Sequence, residues 1–218
     1  LSSRSVGAMI LVHGDDNGLV LPPVIAPIQV VIIPIITKTS DNTKIISLAK
    51  KVYEIVSNNL VRVKLDESDQ SAGWKFNQYD LEGVPIRIEI GSTEAASNKL
   101  RLVRRDNKQS YDIGFSAIES EINKHLQDIQ LALLKKSRNF TTDNTRQADS
   151  YEQFKEIMKT ARGFIEAFWC EDPNCELKIK EETKATTRCL PLGSIEANGK
   201  CIYCGKSAKF RWLFGQSY

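Results

Sequence analysis

A chain of 218 residues, 41% hydrophobic and 26% charged, carries enough apolar material for one large core or two smaller ones. That mix excludes a disordered chain, whose apolar content would not offset chain entropy. Thirty basic against 27 acidic side chains leave a net charge of +3, too small to mark a nucleic-acid binder by total charge, so any such role must reside in local clusters.

At the start, Ser5–His13 is too short and too uniformly apolar for periodicity to separate a helix from a buried strand. It runs into Gly14-Asp15-Asp16-Asn17-Gly18, and Pro22, Pro23 and Pro27 then impose an extended connection, because proline fixes φ and disfavours helix before it. A domain boundary is expected near residue 27. Beyond it the β-branched run Val30–Ile36 predicts a buried strand, since Gln29 and Pro34 interrupt an apolar stretch far shorter than the roughly eighteen residues of a membrane span. A helix is expected to begin near Ser40 or Asp41, whose side chains can cap backbone N–H groups, with Ile45, Leu48, Val52, Ile55 and Val56 on one stripe. Leu60–Leu65 reads as a second strand, Trp74–Leu81 as a short helix stopped at Gly83 and Pro85, Ile86–Ile90 as a third strand with Arg87 and Glu89 alternating, and Leu100–Arg104 as a fourth. A long helix near Ala117–Arg138 places Ile118, Ile122, Leu126, Ile129 and Leu133 three or four apart. This alternation predicts an α/β fold class, a layered domain with a mixed sheet over residues 28–140.

The polar stretch Asn139–Ala148 has the composition of a linker. A smaller α+β domain is expected over 141–218, with a helix near Tyr151–Thr160, a strand Phe164–Trp169, a charged helix Glu176–Thr183 and an aromatic strand Phe210–Phe214. It holds all five cysteines. Cys170 and Cys175 are spaced C-x4-C, and Cys201 and Cys204 are C-x2-C in a knuckle with Gly205 and Lys206. Two thiolate hairpins brought together supply four sulfurs to a tetrahedral ion such as zinc in a structural role, and metal ligation can replace apolar burial in a module this small. Four buried thiols or two disulfides are the alternative. Such usage points to a reducing compartment, and no basic flank with an apolar core suggests an export signal, so a cytoplasmic setting without membrane contact is expected. Cys189 has no partner at ligand spacing and reads as a packed core residue.

Lys99, Arg101, Arg104, Arg105 and Lys108 cluster around one strand, and Trp74-Lys75-Phe76 interleaves a cation with two aromatics. Single-stranded RNA is read by stacking on aromatic faces with cations on phosphates and base edges. Charge clusters are more often solvated faces, and aromatics at helix spacing more often core, so these residues alone do not establish RNA binding.

Several motifs resemble one known family. The run Leu1-Ser-Ser-Arg4 through His13 and Gly18 to Pro23, followed by Ala26 to Ile35, looks like the third class II signature of prolyl-tRNA synthetases and the passage into their anticodon-binding domain. So do Gly73-Trp-Lys-Phe-Asn77, Gly83-Val-Pro-Ile-Arg-Ile-Glu89 and the end Leu213–Tyr218. The resemblance covers the whole chain in order, and the zinc-binding tail and terminal tyrosine mark the archaeal/eukaryotic branch. It implies residues 1–27 as a remnant of the class II catalytic domain, 28–140 as the anticodon-binding domain and 141–218 as the zinc-binding domain.

Further expectations follow from the resemblance. The full enzyme would activate proline with ATP and magnesium, transfer it to tRNA(Pro), and form a homodimer through its catalytic domain. Arg4 matches the signature arginine that lies over adenine in ATP, and a helix is expected after it. Lys75, Arg87 and Glu89 match anticodon-facing positions, and the Tyr218 carboxylate matches the terminal group that reaches the active site. Val24, Asp66-Glu-Ser-Asp69, Ala72 and Gly91-Ser-Thr depart from the family pattern. With the first two class II signatures absent from these residues, no catalytic residue is expected here and the fragment alone should be inactive. The competing reading is a non-catalytic RNA-binding or regulatory module derived from a synthetase.

Overall fold

Strand β1 (Val30–Pro34) is the axis of the first unit, and all five of its residues are buried. The computed structural model describes residues 2–37 and 42–216. The chain falls into two compact units, 1–137 and 138–218. The expected capping residues Ser40 and Asp41 and the terminal Tyr218 lie outside the described residues.

In the first unit β1 lies parallel to both β2 (Val63–Leu65) and β3 (Ile86–Ile90), while β4 (Lys99–Arg104) and β5 (Ser110–Gly114) complete it antiparallel, in the order β2-β1-β3-β4-β5. The sheet is mixed, as the alternating pattern implied. A central parallel strand is covered on both faces, which is why β1 reads as an unbroken apolar run. Helix α1 (Ser3–His13) precedes the sheet and buries none of its residues. Helices α2 (Asn42–Ser57) and α3 (Ala72–Glu82) form the two crossovers, and a short α4 (Ser92–Ser97) precedes β4.

One face of the sheet carries Val30, Ile32, Ile86, Ile88, Leu100 and Leu102, which pack against Ile45, Ala49, Val52 and Val56 of α2. The same cluster takes in Ile118, Ile122, Leu126, Ile129 and Leu133 of the long helix α5 (Ile118–Asp143). On the other face Val31 and Ile33 pack with Tyr79, Val84 and Phe76, so α3 covers β1. Across β3, β4 and β5 that second face is polar, because the register aligns Glu89 with Arg101 and Arg101 with Asp112. Residues directly opposite in an antiparallel pair share a face.

Helix α3 ends at Gly83, whose φ of 74° is the left-handed conformation that favours glycine. A Cβ there would fall 2.6 Å from the Leu19 side chain, and one on Gly18 would fall 2.6 Å from the Leu81 backbone. The two glycines thus let the chain before β1 lie directly on the end of α3, where Leu19 N–H donates to the Leu81 carbonyl at 3.0 Å.

The second unit is a four-stranded sheet ordered β6-β7-β11-β8, built from β6 (Thr145–Gln147), β7 (Phe164–Phe168), β8 (Ala185–Cys189) and β11 (Arg211–Gln216). Helices α6 (Tyr151–Lys159) and α7 (Pro173–Thr183) contribute Phe154, Met158 and Ile179 to a core with Ile165, Ala167 and Phe214. The Phe154 and Phe214 rings meet edge to face at 5.3 Å. A two-residue ribbon, β9 (Gly199–Lys200) and β10 (Ser207–Ala208), carries the second cysteine pair.

Four expectations need correction. The stretch Asn139–Ala148 is not a linker: its first part is the last turn of α5 and its centre is β6, which pairs with β7. Polar composition there reflects an exposed helix end and an edge strand rather than free chain. Cys189 is not in a core. It is exposed at the end of β8, an edge strand paired on one side only. The second strand is also shorter than Leu60–Leu65, since Leu60 has φ 59° and is exposed, and α7 begins earlier than Glu176 because Asp172 caps it and Pro173 opens it. The substitution Gly83→Ala forces a side chain into both the left-handed backbone and Leu19, and thermal unfolding should show a loss of about 1–3 kcal/mol.

Candidate nucleic-acid interface and metal centre

Helix α3 and strand β3 bring the polar residues of the first unit together. Arg87 Nε donates to Glu89 Oε1 at 2.9 Å, Arg87 Nη1 donates to Asp80 Oδ1 at 2.8 Å, and the guanidinium lies 4.4 Å from the centre of the Phe76 ring. Phe76 and Asp80 are one turn apart on α3, so the helix presents a stacking surface and a carboxylate side by side. Arg87 and Glu89, two of the expected site residues, are therefore in direct contact, with donors and an acceptor held at fixed positions. Trp74 is half exposed on the same helix.

Lys75 sits differently. It is only 3% exposed, and its Nζ donates to the Asp66 carbonyl at 3.1 Å and pairs with the Asp66 carboxylate at 3.4 Å. Asp66 also accepts from the Tyr79 hydroxyl at 3.0 Å and from the Ser68 amide at 2.9 Å. Burial alone would raise the Asp66 carboxyl, but the Ser68 hydrogen bonds, the Tyr79 hydroxyl and Lys75 together hold it below its ordinary value. The acidic turn that departs from the family pattern is thus a structural knot. It forms one wall of a cleft of about 410 Å³ beyond the ends of β1 and β2, lined also by Ile46 and Ala49 of α2 and by Lys75. Because α2 and α3 leave on opposite faces of the sheet, that cleft lies where open α/β sheets accept ligands.

The basic cluster divides in two. Arg104 is buried with two bonds to Asp106 at 2.9 and 2.7 Å, and Arg105 is buried with two bonds to Asp15 at 2.7 and 2.6 Å. The Arg105 guanidinium, as the largest influence, drives the Asp15 carboxyl far below the carboxylate range. Lys99 and Arg101 stay exposed on the polar face, where Arg101 meets Asp112 at 3.6 Å. Arg4 lies exposed in the first turn of α1, so the helix includes it rather than following it.

In the second unit the sulfurs of Cys170, Cys175, Cys201 and Cys204 all lie within 4.8 Å of one another, with Cys170 at 3.6 Å from Cys175 and 3.7 Å from Cys204. Four thiolates about 2.3 Å from a tetrahedral ion sit about 3.8 Å apart, so the donor set and its spacing fit a metal such as zinc. None of the five cysteines is in a disulfide. Cys170 follows β7, and Cys175 occupies the first turn of α7, where backbone N–H groups favour a thiolate. Cys201 and Cys204 are set by the knuckle, in which Gly205 at φ 72° lets its N–H donate to the Cys201 carbonyl at 3.0 Å. Burial pushes the Cys170 and Cys175 thiols up, whereas at exposed Cys204 the effect of burial is outweighed by hydrogen bonds from the Lys206 backbone and the neighbouring sulfurs, which hold that thiol below its ordinary value. The Lys206 ammonium pairs with Asp172 at 3.9 Å.

Family models match most of both units. A family model described as "Anticodon binding domain" matches residues 29–125, and one described as "Prolyl-tRNA synthetase, C-terminal" matches residues 151–218. The proline–tRNA ligases of Clostridium novyi (strain NT) and Ruminiclostridium cellulolyticum are each 40% identical to this chain over 218 residues. A proline–tRNA ligase 2 of Bacillus cereus is 39% identical over 219 residues. The chain belongs to the prolyl-tRNA synthetase family. It spans about half the length of these relatives, 45% in each case, and all of it is matched. Within this family the polar face and the cysteine cluster fall in the anticodon-binding and C-terminal matches respectively. No helix among the described residues is long and apolar enough to cross a membrane.

Tyr79 does not stand out in the sequence, and Asp66 does so only as part of an acidic turn that departs from the family pattern. Helical spacing from Phe76 flags Asp80, but nothing local reveals that Asp66 will be buried. Two outcomes test these sites. A divalent-metal chelator, or Cys201→Ser, should unfold the second unit, read by fluorescence of Trp169 and Trp212, while amide-exchange protection of β1 and β3 is unchanged. A carboxyl held low by its fold stabilises that fold above its ordinary value of 3.8 and loses this as pH falls through the folded value, so Asp66→Asn should remove part of the acid dependence of stability below that pH.

Proposed function

We propose that this chain is the tRNA-recognition end of a proline–tRNA ligase, an enzyme that activates proline with ATP and magnesium and transfers it to tRNA(Pro). The observation that carries the reading is the polar face of β3–β5, open at Lys99, Arg101 and Asp112 and bordered by α3 over Arg87 and Glu89, in a sheet whose opposite face is sealed by α2 and α5. There Arg87 supplies fixed donors, Glu89 an acceptor and Phe76 a ring plane, the three functions needed to hold an unpaired base by its edge and its face. Lys99 and Arg101 add cations for the phosphates. Lys75 acts in this reading from the wall of the neighbouring cleft, by fixing the 66–71 turn.

In the same proposal residues 1–27 are the end of the class II catalytic domain, with Arg4 directed to ATP, followed by the anticodon-binding domain over 28–140. Residues 141–218 are the zinc-binding domain, where Cys170, Cys175, Cys201 and Cys204 hold a structural zinc ion, a charge that lets four thiolates lie side by side. The whole enzyme would work in the cytoplasm as a homodimer through its catalytic domain.

Binding of a tRNA(Pro) transcript should weaken steeply with added salt, and Arg87→Gln should lower affinity by about tenfold, the loss of one good base-edge contact. Salt-independent binding, or an unchanged affinity in that variant, removes the assigned face. The competing reading, a non-catalytic RNA-binding or regulatory module derived from a synthetase, is separated by proline-dependent pyrophosphate exchange on the full-length product.

A further inference from the structure

The Arg105 side chain is only 2% exposed, yet both groups it binds come from elsewhere in the first unit. Its Nη1 and Nη2 donate to the two oxygens of the Asp15 carboxylate at 2.7 and 2.6 Å, and its Nε donates to the main-chain carbonyl of Asp80 at 2.9 Å. Asp80 in turn accepts from Arg87 through its own carboxylate at 2.8 Å, and Arg87 continues to Glu89 and Phe76. Polar contacts therefore run without a break from the turn that closes α1 to the pair on which RNA reading has been placed.

The near end of this chain of contacts is held as firmly as the far end. Asp15 and Gly18 exchange main-chain hydrogen bonds at 3.0 Å, and the Asn17 amide donates to Asp15 Oδ1 at 2.9 Å, so the carboxylate is oriented before it meets Arg105. Leu19 and Leu21 donate to the carbonyls of Leu81 and Gly83, which ties the same segment to the end of α3. Movement of the turn must move Asp80, and with it the bond that orients Arg87.

We propose that Asp15, Arg105 and Asp80 are positioning residues that set the Arg87–Glu89 pair for RNA and couple it to the α1 segment. Restraint on α1 then changes RNA affinity, and bound RNA restrains α1 by the same factor, as linkage requires. The proposal rests on the anticodon reading of that face. A simple brace would lend stability and leave Arg87 alone.

The test uses the 218-residue chain with Asp15→Asn, and with Asp16→Asn as the control on the neighbouring exposed carboxylate. Arg105→Lys, which keeps the charge but cannot bridge both oxygens, guards against a variant that fails to fold. The first readout is solvent exchange of the Arg87 Nε–H by NMR, expected to quicken about fivefold or more in Asp15→Asn and Arg105→Lys and to stay unchanged in the control. The second is affinity for a tRNA(Pro) anticodon stem-loop, expected to fall about fivefold in Asp15→Asn, with the Asp15→Asn/Arg87→Gln double variant within about twofold of Arg87→Gln alone. A lowered melting temperature with exchange and affinity at wild-type values overturns the proposal, as do fully additive losses in the double variant. An RNA that does not bind the wild-type chain overturns the anticodon reading by itself, and the exchange comparison then still decides whether these residues position Arg87.

Discussion

A buried charge without a counter-charge costs several kcal/mol, and this one requirement organises both units of the chain. Lys75, Arg104 and Arg105 are all buried, and each meets a carboxylate, Asp66 at 3.4 Å, Asp106 at 2.7 Å and Asp15 at 2.6 Å. None of the three acids lies in a strand or helix. The pairs therefore fix turns, which are the parts of an α/β fold with the fewest apolar contacts to hold them. Breaking one pair would leave a cation in a site with no water to solvate it.

The second unit meets the same requirement with sulfur. Its core is small, built around Phe154, Ile165, Ile179 and Phe214, and the thiols converge beside it on the side carrying Trp169 and Ile202. Four thiolates within 4.8 Å would repel one another without a cation among them, so the cluster could hold a metal ion. The relatives come from Clostridium, Ruminiclostridium and Bacillus, so the branch label drawn from the zinc-binding tail describes a type of sequence and not an archaeal or eukaryotic source.

Satisfied charges also decide what remains for recognition. With Arg104 and Arg105 engaged inside, the cations left on the polar face are Lys99 and Arg101, and the donors in fixed geometry belong to Arg87. An arginine held by two carboxylates and an aromatic ring loses little conformational freedom on meeting a base, which favours discrimination over raw affinity.

Much of this is legible from one dimension. The β-branched runs mark β1 and β3, and apolar residues three and four apart mark α2 and α5. The C-x4-C and C-x2-C spacings mark the cysteine cluster, because each of these signals is local and regularly spaced. Strand β5, with only Tyr111 and Ile113 apolar, and the six-residue α4 are too short to register. The polar end of α5 reads as a linker, since composition reports solvent exposure and not backbone conformation. What the sequence determined by itself was the kind of elements, the four-cysteine cluster and the family. The tertiary structure alone decided which cations are consumed and which are open, because the partner of a buried charge can lie 90 positions away, as Asp15 does from Arg105, and only folding brings the two together.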